Sequence, residues 1–357
     1  MKNIYVHLFN LLKEKRPLVL GTVIDTAGST PQVPGASALF STEGLIKGTL
    51  GGGLLEFDAQ KKALKALKKR TSLISEFSLQ EDISAEEGAI CGGEVKVLID
   101  ARPEEHRDAF RNMNQSIKER QPGVLATFIN KFSEGKVSLL RYWIEKREKI
   151  QNSLEIHHYL FQKEIKNTLS EGSSKLLKIK EDIFPGKAEE RLLFLEPIFP
   201  LPQLVIAGAG HVGKAVAHLG SLLNFEVTVI DDRAEFANEE RLPDADHIIV
   251  DEIGKSVQNF PIFPDTYLVI VTRGHSYDAD ALRECITSDA AYIGMIGSSR
   301  KIELMRRQFL ERGWASPSQF NRVYAPIGIE IQSKTVEEIA ISIAAQLVLV
   351  RSQIRDK

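Results

Sequence analysis

The chain has 357 residues, 43% of them hydrophobic and 26% charged, with a net charge of -2, as in a globular protein long enough for two domains. It lacks the basic excess of a nucleic-acid binder, and no window of about 18 uninterrupted apolar residues is present to cross a bilayer. Its start does not combine a charged segment, an apolar core and a cleavage site, so a cytoplasmic location without membrane contact is expected. Two cysteines, Cys91 and Cys285, without CxxC spacing or a histidine cluster, give neither a disulfide framework nor a zinc site.

Short strand-like runs come first: PLVLGTVID, SALFST, SLISEFSL and EVKVLID between residues 17 and 100. One helix-like stretch, at about 54 to 70, interrupts them. Its KKALKALKKR segment reads as the solvated face of an amphipathic helix. Gly51, Gly52 and Gly53 open that helix and could offer backbone N–H groups to an anion. In GAICGGEV, residues 88 to 95, Cys91 stands against Gly92 and Gly93. Two readings stand on this stretch alone: a small apolar residue entering a buried strand, or a thiol in a clearing made by glycines for a ligand.

A helix-like stretch and the strand candidates GVLATFI, KVSLLRYWI and RLLFLEP continue this α+β region to about residue 195. A polar segment at 163 to 190 carries no assignable pattern. PIFPLPQ, residues 197 to 203, holds three prolines in seven positions and reads as a linker. Domains of 1–198 and 199–357 follow.

Beyond the linker, LVIAG, EVTVID, HIIVD, YLVIVT, AYIGMIG and RVYAPI are strand candidates. Helical stretches such as HVGKAVAHLGSLLN and SRKIELMRRQFLERG separate several of them. This alternation predicts an α/β fold, a Rossmann-like doubly wound parallel sheet covered on both faces. Cys285, in the helix-like DADALRECI, reads as core. The final helix opens with Thr335 and Glu338 at capping-box spacing.

GAGHVG, residues 208 to 213, follows the first of these strands and opens a helix, with Asp231 placed 18 residues beyond Gly213. That is a dinucleotide fingerprint in context. Gly208 allows the tight turn, Gly210 the approach of phosphate beside His211, and Gly213 close helix-to-sheet packing. Asp231 is expected to hold a ribose hydroxyl, with Asp232 adding repulsion against a 2′-phosphate, so that NAD or an adenine nucleotide is preferred to NADP. Arg273, His275 and Asp278 follow the fourth strand, and Ser298, Ser299 and Arg300 the fifth, on the edge where such sheets bind ligands. Arg300 opposes the dipole of its helix, which points to an anion beside it.

Taken together and in order, GSTPQVPGASALFSTEG, GTLGGGLLE, AICGGEVKV, LVIAGAGHVG, TRGHSYDADAL, YIGMIGSSRK and PIGIEI resemble the XdhC/CoxI family, accessory factors of xanthine dehydrogenase and related molybdenum hydroxylases. The resemblance implies a chaperone rather than a catalyst, with no catalytic residue. It implies binding of the molybdenum cofactor (molybdopterin), its protection while a cysteine desulfurase-type donor supplies a terminal sulfur, and its insertion into the apo-dehydrogenase. It also implies a homodimer. Cys91 becomes a molybdenum-side contact, with Gly51, Gly52, Gly53 and Glu56 beside it. Relatives carrying cysteine in place of Leu54 put a two-thiol site in doubt here. An NAD-dependent oxidoreductase and a nucleotide-sensing module remain open as alternatives.

Overall fold

The computed structural model describes residues 4–14, 16–79, 92–145, 155–179 and 188–355. It divides into two units, Met1–Pro200 and Leu201–Lys357. No helix among the described residues is long and apolar enough to cross a membrane.

The first unit runs α1 (Ile4–Lys13), β1 (Val19–Ala27), β2 (Ser37–Ser41), β3 (Gly44–Gly48), α2 (Gly53–Lys69), β4 (Leu73–Ser78), β5 (Glu94–Asp100), α3 (Arg107–Lys118), β6 (Gly123–Lys131), β7 (Val137–Glu145), α4 (Glu155–Glu171), β8 (Lys175–Lys178) and β9 (Glu190–Ile198). Its strands form two antiparallel sheets, ordered β3-β2-β1-β5-β4 and β7-β6-β9-β8. Side-chain alternation sorts the core into layers. Val19 and Val23 of β1, with Val95, Val97 and Ile99 of β5, pack under Ala59, Ala63 and Leu67 of α2. Ile24, Ile74 and Leu98 point the other way and meet Ile129, Leu192 and Phe194 of the second sheet. Val124, Ala126, Phe128, Leu193 and Leu195 then face Phe161 and Ile165 of α4. The polar segment without a legible pattern holds much of α4 and all of β8.

The strand β9 continues through Pro197 to Ile198, two residues into the expected linker. Pro197 lies opposite Val124 of β6, while pairing with β8 ends at Leu195. With no β8 neighbour there, the missing N–H of proline breaks no ladder on that side.

A buried polar cluster ties the two sheets together. Arg141 donates to Asp100, with only 2% and 1% of their side chains exposed. The Arg141 Nε also donates to Thr127 Oγ1 at 3.3 Å. Asp100 Oδ1 accepts from Ser72 Oγ at 3.1 Å and from the Arg102 N–H at 3.0 Å. Burial opposes ionisation of Asp100, but Arg141 outweighs it and holds the carboxyl below its ordinary range. Burial and the Arg141 charge push His106 down to about 4. Burial raises Glu196 to about 7, although the Tyr5 hydroxyl donates to it.

The second unit runs β10 (Gln203–Ala207), α5 (His211–Leu222), β11 (Glu226–Asp231), β12 (His247–Val250), α6 (Ile253–Asn259), β13 (Thr266–Ile270), α7 (His275–Cys285), β14 (Tyr292–Met295), α8 (Ser299–Glu311), α9 (Pro317–Asn321) and α10 (Val336–Arg355). The sheet is parallel, in the order β12-β11-β10-β13-β14. Leu204 and Ile206 pack with Val216 of α5 and Ile343 and Leu347 of α10. Val205 and Ala207 face Val257, Leu282, Met305 and Phe309 on the opposite side. This is the doubly wound arrangement expected from the alternating pattern. Cys285 is in the core, its thiol pushed up to about 12 by burial. Thr335 Oγ1 accepts from the Glu338 N–H at 3.2 Å and Glu338 Oε2 from the Thr335 N–H at 3.0 Å, completing the expected capping box.

The sixth expected strand, RVYAPI, is reduced to a bridge between Tyr324 and Gly294. The Tyr324 N–H donates to Ile293 O at 2.9 Å and the Met295 N–H to Tyr324 O at 3.0 Å. Pro326 stands where the next donor belongs and has no N–H. Ile327 donates to Met295 O instead, at 3.0 Å, and the ladder ends.

Glu196 and His106 shift in opposite directions, so their effects on stability oppose each other. The raised Glu196 costs stability as pH rises from about 4.5 to about 7, and the depressed His106 costs it as pH falls from about 6.5 to about 4. Each amounts to about 3 kcal/mol over its window. Glu196→Gln should leave the His106 slope uncompensated, with stability rising with pH between 4.5 and 6.5 and exceeding wild type at pH 8. Urea unfolding in a Trp314→Phe background, read through Trp143, measures this; a profile parallel to wild type would refute it.

Candidate functional sites

In the second unit the three fingerprint glycines meet different surroundings. Gly208 has φ +116°, and a Cβ there would lie 2.5 Å from the carbonyl oxygen of Val271. A Cβ on Gly213 would lie 1.9 Å from the carbonyl oxygen of Gly208, so the helix can approach the turn only without a side chain. A Cβ on Gly210 would meet nothing within 4 Å among the described residues. Gly210 is the N-cap of α5 and supplies no side-chain cap to its first N–H groups. Close packing and open approach are thus divided between glycines only a few positions apart.

The helices α5, α7 and α8 follow the neighbouring strands β10, β13 and β14, so their N-termini lie along one edge of the sheet. Their dipoles present positive ends there. His211 and His275, exposed, begin α5 and α7; Ser298 caps α8, its Oγ accepting from the Lys301 N–H at 3.4 Å. Arg300 is exposed in the first turn of α8.

Asp278 is fully buried and serves as a brace. Its Oδ1 accepts from the Thr272 N–H at 3.1 Å and Thr272 Oγ1 at 2.6 Å, and its Oδ2 accepts from Lys301 Nζ. It fastens the loop after β13 to the start of α8. Lys301 was absent from the expected site residues, although it directly follows Arg300.

Asp231, expected to meet a ribose, is engaged within the protein. Oδ2 accepts from the Ala209 N–H at 2.7 Å and Arg233 Nη2 at 3.0 Å; Oδ1 accepts from Arg233 N–H at 3.1 Å and Nε at 2.9 Å. Burial pushes its pKa up, but the Arg233 guanidinium and the two backbone N–H groups prevail and hold it below the usual range. Asp232 forms a bidentate pair with Arg273, at 2.7 and 2.8 Å. Arg273 also donates to the Tyr277 hydroxyl and lies over its ring at 4.2 Å. Arg233 stands in IDDR two residues after Asp231, where no motif singles it out.

In the first unit, glycine-rich segments distant in sequence converge. A Cβ on Gly93 would lie 2.4 Å from Ser29 O and 2.7 Å from Ala27 O, so the GST and GG segments cross backbone against backbone. A Cβ on Gly51 would lie 2.6 Å from Pro31 Cγ, which brings the GGG loop to the same place. Glu56 Oε2 accepts from Thr49 Oγ1 at 2.7 Å and the Leu50 N–H at 3.0 Å, closing that loop on itself. Among the described residues nothing lies within 4 Å of a Cβ on Gly52, Gly53 or Gly92. Gly52 caps α2 and has no side chain with which to accept from the first-turn N–H groups. Leu54 and Phe57, on the first turns of α2, are exposed. Cys91, the residue before Gly92, lies outside the described residues. Among the described residues no group of three or more His, Cys, Asp or Glu side chains could hold a metal ion.

Residues 204–347 match the family model described as the XdhC Rossmann domain, and residues 11–78 that of the XdhC and CoxI family. A probable xanthine dehydrogenase subunit of Bacillus subtilis (strain 168) is 26% identical over 360 residues, covering 99% of each chain. The "Uncharacterized protein YqeB" of Escherichia coli (strain K12) is 24% identical over 351 residues, which span 98% of this chain and 46% of that protein. A crystal structure of a xanthine dehydrogenase from Bacillus halodurans is similar with a TM-score of 0.72 at 25% identity, over 99% of this chain and 96% of that one. The glycine loop of the second unit and the GST and GGG segments of the first all fall within the matched stretches, and the chain belongs to the XdhC and CoxI family.

Proposed function

We propose that this protein is an accessory factor of a xanthine dehydrogenase or related molybdenum hydroxylase. It binds the molybdenum cofactor, holds it while a cysteine desulfurase-type donor delivers sulfur, and inserts it into the apo-enzyme. Membership of the family and the xanthine dehydrogenase names of two relatives support an accessory role. The observation that carries the cofactor reading is the convergence of the GST, GGG and GG segments, with Gly52, Gly53 and Gly92 free of described neighbours. A flat pterin needs side-chain-free backbone on one side, and its phosphate needs N–H donors such as those at the start of α2. When bound, the group supplies the molybdenum centre that receives the sulfur. Gly51 to Gly53 and Gly92 would hold it, Glu56 would keep the loop in shape, and the soft thiolate of Cys91 would face the metal. The second unit takes NAD or another nucleotide at Gly210. The protein acts in the cytoplasm as a homodimer and as a carrier rather than a catalyst.

Purification from a host that makes the cofactor, with bound pterin assayed through its fluorescent oxidation products, tests this reading. Gly92→Val fills the open clearing at a backbone conformation that allows it. It should fold with an unchanged thermal midpoint yet retain at least about tenfold less pterin, a loss of roughly 1.4 kcal/mol. Cys91→Ser should fold equally well and fail to support sulfuration of the client. Wild-type pterin retention in Gly92→Val would remove the cradle.

The fingerprint glycines separate binding from stability. Gly210→Ala should leave unfolding unchanged and weaken nucleotide binding, because its Cβ enters only the space expected for phosphate. Gly213→Ala should lose about 1 to 3 kcal/mol of stability through collision with the Gly208 carbonyl. Titration calorimetry with NAD and urea unfolding of both variants would expose an error if the two behaved alike.

A further inference from the structure

We infer that Arg233 sets the specificity of the nucleotide site, so that its ribose edge takes a nucleotide carrying a 2′-phosphate in preference to one with a free 2′-hydroxyl. The inference rests on the nucleotide reading of the GAGHVG loop and reverses the preference expected from an acidic residue at the end of β11. A carboxylate has about four acceptor positions. Asp231 uses one for the Ala209 N–H and three for Arg233, through its N–H, Nε and Nη2. A ribose hydroxyl gains an acceptor there only by breaking one of these bonds.

The same geometry changes the charge that a ligand meets. The Asp231 side chain is 2% exposed, whereas that of Arg233 is 24% exposed. The guanidinium lies over the Phe236 ring at 3.9 Å, which fixes its plane. Its Nη1 donors take no partner among the described residues. Asp232, the other source of repulsion, is neutralised by its bidentate pair with Arg273. Arg273 follows β13 and Asp232 follows β11, so the pair reaches across the end of β10, where the glycine loop begins. The Arg273 guanidinium stands on that edge with its charge balanced by Asp232, which leaves Arg233 to meet a ligand. Planar, always-charged donors suit a phosphate far better than a hydroxyl.

Titration calorimetry of the full chain with NAD and with NADP tests this. Wild type should bind NADP at least about tenfold more tightly than NAD. Arg233→Ala should lower NADP affinity by at least about tenfold, while freed acceptor positions on Asp231 leave NAD binding equal or tighter. Arg233→Lys should restore only part of the loss, because it keeps the charge without the fork. Tighter binding of NAD by the wild type, which requires no variant to fold, overturns the inference while sparing the nucleotide reading. So does an unchanged preference in a folded Arg233→Ala protein. Failure of wild type to bind either nucleotide overturns the nucleotide reading, and the inference with it.

Discussion

Backbone laid directly against backbone is the constraint on which both candidate sites depend. In the second unit the start of α5 meets the turn after β10 because Gly213 has no side chain to collide with the Gly208 carbonyl. In the first unit the segment before β5 crosses the end of β1 because Gly93 has none to collide with Ala27 and Ser29. Each contact would be lost to a single methyl group. Near each packed glycine stands another, Gly210 or Gly92, whose Cβ would meet nothing within 4 Å among the described residues. Close packing positions the peptide groups, and the open neighbour makes them reachable.

Carboxylates supply the second constraint. Asp231, Asp278 and Asp100 are each almost fully buried, and each pairs with a cation while also accepting from backbone N–H groups. Removing either member of the buried Arg141–Asp100 pair would leave a charge in a poorly solvated place, typically a cost of about 3 to 5 kcal/mol, and the cost is smaller where the cation is partly exposed, as Arg233 and Lys301 are. These residues therefore act as fasteners: Asp231 holds the glycine loop to the end of β11, Asp278 holds α8 to the loop after β13, and Asp100 joins the two sheets of the first unit. The partly exposed partners, Arg233 and Lys301, carry the charge that a ligand would meet.

Patterns that repeat along the chain made most of the fold legible. The period of buried strands and intervening helices marked the parallel sheet, Thr335 and Glu338 marked the start of α10, and the spacing of Gly208, Gly210 and Gly213 marked the turn into α5. Thin signals hide other elements. The described buried apolar side chains of α4, Phe161 and Ile165, are sparse in a polar surround, and β8 is a short edge strand, so neither stood out. RVYAPI had the composition of a strand, but a single missing N–H at Pro326 ended its ladder, an effect of hydrogen-bond register rather than hydrophobicity.

By itself the sequence determined the fold class, the position of the glycine loop after β10 and the family resemblance, because each depends on local periodicity and on residue types in a set order. Tertiary structure alone decided which glycines pack and which stay open, since that depends on segments such as 28–31 and 92–93 meeting across a sheet. It also decided what the acidic residues do. Asp231 and Asp278 have the chemistry of ligand-binding groups, but hydrogen-bond capacity is finite, and only three-dimensional proximity shows that Arg233, Ala209, Thr272 and Lys301 have already taken it.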